Sequence, residues 1–270
     1  MFPYPFSFLG AAESGLAQLD NGFYMEFDGV DDAFLFQNEY FMPSVINQDD
    51  GQHVGSLSFW FKLPDPAPLG SMLAFNAKFA GPYLRFFFQS SIGWADVNTY
   101  MQIVHYGADT DGGGGGEMGV TYKLYDQAFG TYGTSSVDWQ PDTWYHCAWV
   151  FDKDATNRTT LYLDGHPYPL PNTTGSTDGA RTIGDVPYSL PYTATASAVA
   201  NNCTIGSYYF YNGTQYGNWS GKMDEVSIFD YALTAPDVAD IYNATDFVTD
   251  KCADLSSMST PPIAWYRMGD

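Results

Sequence analysis

Asp28, Asp31 and Asp32 crowd into the run Phe27-Asp28-Gly29-Val30-Asp31-Asp32, and no Lys or Arg occurs before Lys62 to neutralise them. Clustered carboxylates without cationic partners repel one another. Their natural counter-charge is a hard divalent cation, which takes roughly six to eight oxygen ligands, several of them backbone carbonyls. The run therefore predicts a structural Ca2+ site at Asp28, Asp31 and Asp32, with the carbonyl of Gly29 as a further ligand. The competing expectation is a solvated turn that Asp28 merely caps, as Asx residues do.

A second chemistry follows from Tyr188, Tyr192, Tyr208, Tyr209, Tyr211, Tyr216 and Trp219, which lie among Asn and Gly in turn-rich sequence. Aromatic faces beside amide groups hold sugars, so these residues form a candidate carbohydrate site. The same rings would serve equally to pack against the Pro-, Thr- and Ser-rich stretch 166–201, or against a sister subunit.

Catalysis finds less support. Glycoside hydrolysis needs two carboxylates flanking the sugar. The chain has only five glutamates, Glu13, Glu26, Glu39, Glu117 and Glu225, with no two within ten residues of each other. His146 has no Ser or Cys placed to act as its nucleophile and is expected to be a hydrogen-bonded, half-buried histidine. His53, His105 and His166 lack metal-ligand spacing, and no phosphate-cradling glycine motif precedes a helix. Carboxylates from separate strands can still meet, so a hydrolase stays as an alternative.

The charge balance narrows the partners. Asp plus Glu number 31 against 10 Lys plus Arg, a net charge of −21, which repels a phosphate backbone or an anionic membrane. Nucleic acid is excluded as an expected partner, and no apolar run reaches membrane-spanning length. The surplus of acid fits either a soluble surface or cation binding. Cys147 sits in an apolar strand and is expected as a buried small hydrophobe, while a Cys203–Cys252 bridge stays open. Met1 to Ala12 is apolar but lacks a basic region and carries Pro3 and Pro5, so it does not read as a signal peptide.

The elements that must position these groups are strands. Trp144 to Asp152 and Thr159 to Leu163 are filled with aromatic and β-branched residues around a turn-forming tip, and Asp164-Gly165 reverses the chain again. Tyr145, Cys147, Trp149 and Phe151 share one face and Trp144, Ala148 and Val150 the other, so the strand lies mid-sheet. Trp144, Trp149, Phe59, Leu161, Val226 and Ile228 are the expected core. Other strands are read at 22–27, 33–36, 55–63, 71–75, 83–89, 101–106 and 118–125, and a glycine run at 112–116 reads as a mobile tip. Thr234 caps one short helix from about Ala235 to Tyr242, with Pro236 and Asp237 in its first turn.

Four stretches also resemble a known family. They are the Asp28 run, Ser56-x-Ser58-x-Trp60-Phe61, the hairpin Trp144-Tyr145-His146-x-Ala148-x-x-Phe151-Asp152 with Leu161-Tyr162-Leu163-Asp164-Gly165, and Gly221-x-Met223-Asp224-Glu225-Val226-x-Ile228-Phe229 with Ala232-Leu233-Thr234. In this order they are similar to laminin-G-like, concanavalin-A-like jelly rolls. The resemblance implies an all-β fold, a two-sheet antiparallel β-sandwich with one short helix near its C-terminal end. It divides the chain into an arm (1–21), the jelly roll (22–245) and a tail (246–270). The arm is expected to dock on another surface.

In that family the opening strand pairs with the closing one, which is expected to bring Asp224 and Glu225 to the Asp28 turn as further Ca2+ ligands. Hydrolases of this fold with a laminarinase-like site carry Glu-x-Asp-x-x-Glu on one strand, and that pattern is missing here. The run Pro262 to Met268 is similar to a segment that follows such modules in structural proteins of marine tailed phages. Together these features imply a non-enzymatic virion surface protein, a capsid decoration or fibre. It is expected to bind sister subunits as a homo-oligomer, other virion proteins and a cell-surface glycan. A secreted, calcium-dependent glycan-binding module and a jelly-roll glycoside hydrolase are the alternatives.

Overall fold

The computed structural model describes residues 15–37, 54–65, 70–75, 83–89, 100–108, 117–126, 136–152, 159–168, 202–207, 209–211 and 214–268. Expectations for residues 1–14, 109–116 and 169–201 fall outside them.

The strands are β1 (Gln18–Asp20), β2 (Met25–Asp28), β3 (Phe34–Gln37), β4 (Val54–Lys62), β5 (Gly70–Phe75), β6 (Tyr83–Gln89), β7 (Tyr100–Ala108), β8 (Glu117–Asp126) and β9 (Ser136–Val137). They continue with β10 (Trp144–Asp152), β11 (Thr159–Leu163), β12 (His166–Tyr168), β13 (Asn202–Ile205), β14 (Tyr209–Tyr211), β15 (Thr214–Tyr216), β16 (Ser220–Phe229), β17 (Lys251–Ala253) and β18 (Ala264–Tyr266). The helix α1 (Ala235–Asn243) follows β16.

One seven-stranded sheet runs β12-β11-β10-β4-β16-β18, with β2 also on β16; the other runs β3-β13-β5-β6-β7-β8-β9. Pairing is antiparallel throughout the first sheet, and in the second only β8 with β9 is parallel. This is the expected two-sheet sandwich. The Asp164-Gly165 reversal is a two-residue turn with both φ values positive, 47° and 75°, which matches the twist of its flanking strands. It makes His166–Tyr168 a third strand of the hairpin, so the expected loop begins later than residue 166.

The central strands are apolar on both sides, so the protein has two cores. Tyr145, Cys147, Trp149 and Phe151 of β10 join Phe59 and Phe61 of β4 and meet Phe86, Phe88, Met101 and Ile103 from the facing sheet. On the outer side Ala148, Val150 and Phe229 are covered by Val238 and Ile241 of α1, and by Ala253 and Leu255 further on. Thr234 caps α1 in a full capping box with Asp237.

Three expectations are corrected. Residues 246–268 of the expected tail do not lie outside the module. Within the described part, β18 pairs with β16 inside the first sheet, and β17 pairs with β1. Residues 15–21 of the expected arm dock on the chain itself, through that same β1–β17 ladder and an Asn21 amide to Asp250 carbonyl bond of 2.8 Å. Trp144 is half-buried on the outer face, stacked on Phe247 with ring centroids 4.1 Å apart, because β10 ends there and only the later chain covers it. The open bridge is not formed, since Cys252 is a free, buried thiol.

Trp149 is 1% exposed at the centre of the main core. Truncation to Ala there removes a large ring that its neighbours cannot refill, so Trp149→Ala is expected to lower unfolding stability by about 3–5 kcal/mol. Equilibrium urea denaturation checks this.

Candidate functional site

Polar chemistry gathers where the double cover of the first sheet ends. Antiparallel register sets Glu26 of β2 opposite Lys222 of β16, Lys222 opposite Lys62 of β4, and Lys62 opposite Trp144 of β10. Paired residues share a face, so these four side chains form one row across the sheet. Lys62 Nζ lies 2.6 Å from Asp142 Oδ1, and Lys222 Nζ lies 3.9 Å from Glu26 Oε2. Lys222 also donates to Tyr24 Oη at 2.8 Å and sits 4.1 Å from that ring's centroid. Three of the row, Glu26, Lys222 and Lys62, line a groove of about 380 Å3 together with Asp28, Asp65 and Asp142. Lys62 holds the Asp142 carboxyl below its ordinary range, by hydrogen bond first and charge second.

The groove thus offers four carboxylates and two ammonium groups, with the half-exposed Tyr24 ring at Lys222. Donors and acceptors close together beside an aromatic ring suit a polyhydroxylated ligand. Sequence reading missed this site because Glu26, Lys62 and Lys222 are far apart along the chain. The available signal was a charged residue near one end of each of three strands.

The acidic turn adjoins the groove through Asp28. One carboxylate oxygen from each of Asp28, Asp31 and Asp32 lies within 4.8 Å of the others, and all three residues are exposed. Asp28 Oδ1 accepts from the Val30 amide at 2.7 Å, and Asp32 Oδ2 accepts from the Asp28 amide at 2.9 Å. Gly29 has φ of 79°, and a Cβ there would meet Ser220 Cβ at 2.9 Å, so the turn requires glycine. Three convergent oxygens fit part of a hard cation's ligand set.

The other expected ligands are not brought to this turn. The opening and closing strands do pair, but Ser220 faces Asp28, and Asp224 lies four residues further along β16. At the rise of an extended strand that is about 13 Å. Asp224 and Glu225 are instead buried.

Of the expected sugar-binding rings, Tyr188, Tyr192 and Tyr208 fall outside the described residues. Tyr209, Tyr211 and Tyr216 belong to the β14–β15 hairpin, where Tyr209 pairs with Tyr216. Trp219 offers no face to a ligand, being 0% exposed and part of the main core. Its amide bonds to the Gly206 carbonyl at 2.8 Å, which ties the start of β16 to the facing sheet.

The sequence matches a laminin-G family model described as the concanavalin A-like lectin/glucanases superfamily over residues 44–239. The chain belongs to this superfamily. Solved structures similar to this chain include a heptameric SAP-like pentraxin from Limulus polyphemus, with 12% identity, 82% of each chain covered and a TM-score of 0.43. Domain 4 of an extracellular arabinanase from Geobacillus stearothermophilus, in complex with arabinotriose, is 15% identical, with 83% of this chain and 80% of that chain covered and a TM-score of 0.43. The CBM40 of a Ruminococcus gnavus IT-sialidase is 12% identical, with 83% of this chain and 96% of that one covered and a TM-score of 0.41. No curated protein matches.

On this superfamily sandwich the buried ionisable groups lie away from the groove. His146 is 0% exposed, bonds Ser58 Oγ through Nε2 at 2.8 Å, and burial pushes it down to about 3, so it stays neutral. Asp164 accepts from the His146 amide at 2.9 Å and is pushed up to about 6, chiefly by burial. Burial likewise pushes Asp224 up to about 6, and burial with the neighbouring Asp224 charge pushes Glu225 up to about 8. The Ser58–His146 pair lies under Trp60 and Tyr242, whose rings stack 5.5 Å apart, so no substrate reaches it.

Core and groove separate by mutation. Trp219→Ala is expected to cost about 3–5 kcal/mol as a core truncation, whereas Tyr24→Ala, removing a half-exposed ring, should cost about 1 kcal/mol or less. Thermal melts of the two variants check the contrast.

Proposed function

We propose that this chain is a non-enzymatic adhesion module that holds a glycan in the groove formed by Glu26, Lys62, Asp142 and Lys222, with Tyr24 beside it. The observation that carries this reading is the cluster of paired ammonium and carboxylate groups, Lys222 with Glu26 and Lys62 with Asp142, next to the half-exposed Tyr24 ring, on a lectin/glucanase-superfamily sandwich. Both lysines already have carboxylate partners and the groove keeps a surplus of acid. It therefore favours neutral or amino sugars and repels anionic ones. A Ca2+ ion at Asp28, Asp31 and Asp32 would stiffen the turn that forms one end of the groove.

The fuller form of the proposal places the module on a virion surface, as a homo-oligomeric decoration or fibre that contacts other virion proteins and a cell-surface glycan. The resemblance of residues 262–268 to tailed-phage structural proteins supports it. The secreted, calcium-dependent glycan-binding module uses the same groove and turn.

A glycan array is expected to show neutral or amino-sugar ligands, and Tyr24→Ala or Lys222→Ala to weaken their binding about tenfold while costing about 1 kcal/mol of stability or less. Turnover of a polysaccharide would overturn the non-enzymatic reading. Multi-angle light scattering is expected to show an oligomer, and a monomer at high concentration would leave the secreted module.

Calcium has its own readout. A cation bound only by the folded state adds RT ln(1 + [Ca2+]/Kd), about 2.7 kcal/mol at a hundredfold excess over Kd. Chelation should therefore lower the melting temperature, and Asp28→Asn with Asp31→Asn should abolish the response. A melt indifferent to EGTA and to millimolar calcium would leave the turn as solvated surface.

A further inference from the structure

The groove holds the same chemical set twice. On its β2 side Lys222 Nζ lies 3.9 Å from the Glu26 carboxylate and 4.1 Å from the centre of the Tyr24 ring. On the neighbouring strand Lys62 Nζ lies 2.6 Å from the Asp142 carboxylate, and Trp144 is the register partner of Lys62 on β10. Each set is therefore one ammonium, one carboxylate and one aromatic ring. The two sets are contiguous. Lys222 and Lys62 are opposite each other in the β16–β4 pair, and the Tyr24 and Trp144 rings meet at 66° with centroids 5.9 Å apart.

Both sets have the same depth profile. The side chains of Lys62 and Lys222 are 20% and 23% exposed, whereas those of Asp142 and Glu26 are 83% and 69% exposed. Donors thus lie on the floor and acceptors at the rim. An ammonium carries three protons; Lys62 commits one to Asp142 and Lys222 one to Tyr24 Oη, so each keeps donors for a ligand oxygen. A sugar hydroxyl both accepts and donates, and so can bridge floor and rim in either set.

The reach of the site sets the size of the ligand. From Glu26 on β2 to Trp144 on β10 there are three inter-strand steps, about 14 Å at the usual spacing. That is longer than one sugar ring. Clefts of roughly 300–1,000 Å3 enclose ligands larger than a monosaccharide, and the groove, at about 380 Å3, falls in that range.

A duplicated set of contacts matches a ligand whose own groups repeat. We infer, on the reading that the groove binds a glycan, that it takes an extended oligosaccharide: consecutive sugar units occupy the Lys222–Glu26–Tyr24 set and the Lys62–Asp142–Trp144 set. A monosaccharide fills half of the site. The second set is fixed in advance, since Trp144 is backed by Phe247, stacked 4.1 Å away at 10°, and the Asp142 amide bonds the Leu63 carbonyl at 2.8 Å. Once the first unit is seated, the second adds its contacts without a further loss of overall translational freedom, so affinity rises with chain length.

Isothermal titration calorimetry of the full chain tests this against ladders that run from monosaccharide to tetrasaccharide, built on glucose, mannose, glucosamine and N-acetylglucosamine. The expected result is a gain of at least about tenfold in affinity from monosaccharide to disaccharide in one or more ladders, with little added beyond the trisaccharide. Tyr24→Ala and Asp142→Gly each remove part of one set. Both side chains are open to water, and the φ of 55° at Asp142 suits glycine, so both variants keep the fold. In each variant the gain should fall to about twofold or less. Monosaccharides bound as tightly as their oligomers, or a gain that survives in both variants, would overturn the proposal and leave the glycan reading standing. Absence of binding in every ladder would overturn it too, and a blank glycan array beside it the glycan reading as well.

Discussion

Strands β4, β10 and β16 cannot show either face to water, and the rest of the structure is arranged to meet that constraint. Their interiors are buried from end to end, with only the terminal residues of β4 and β10 and the early part of β16 partly open. One face is met by the second sheet, whose Phe86, Phe88, Met101 and Ile103 interdigitate with Phe59, Trp149 and their neighbours. The other face is narrower and more polar, with Ser56, Ser58, Ser227 and His146 among its buried groups. Each of these has to be matched as it is covered, since a buried polar group without a partner is costly. Ser56 Oγ therefore donates to the Tyr231 carbonyl and accepts from the Leu233 amide, fixing the approach of α1.

The bulge at Glu225 reconciles two demands on one strand. Met223 must face inward before it and Val226 and Ile228 after it, all three within the main core. Strict alternation would put 223 and 226 on opposite faces. One extra residue restores the parity, and the local turn drives Asp224 and Glu225 into the edge where β2 stops and β18 begins. The same device that keeps the core apolar thus creates a buried acid pair met by Asn21 at Asp224 and by Trp265 and Arg267 at Glu225. That ties the two outlying stretches to the centre of the sheet.

The groove follows from the same geometry by contrast. At the ends of β2, β4 and β16 the outer cover runs out, and Glu26, Lys222 and Lys62 replace apolar side chains in successive strands. Their ion pairs leave hydrogen-bonding capacity facing solvent next to Tyr24. The acidic turn is shaped locally, since Asp28 and Asp32 each bond an amide within it.

Local chemistry was enough to determine much of this protein. The alternation of Tyr145, Cys147, Trp149 and Phe151 identified a central strand, Asp164-Gly165 a tight reversal, and Thr234 with Asp237 a helix start. In each case the deciding interactions lie within a few residues. The convergence of Asp28, Asp31 and Asp32 was legible for the same reason. The tertiary structure alone decided whatever depends on strands distant in the chain. Trp219 reads as a loop aromatic because its neighbours are Asn, Ser and Gly, yet it is buried by the facing sheet. Asp224 and Glu225 read as partners of Asp28 because β2 and β16 do pair, but the register sets Ser220 opposite Asp28. Residues 246–268 read as a tail because they follow the closing strand and helix of the resembled module, and no local pattern gives the apolar run 262–268 a partner in the sheet. Their place is set by the free edge of β16 beyond β2, and by the charge of Arg267 meeting an acid pair that a β-bulge without glycine had turned inward.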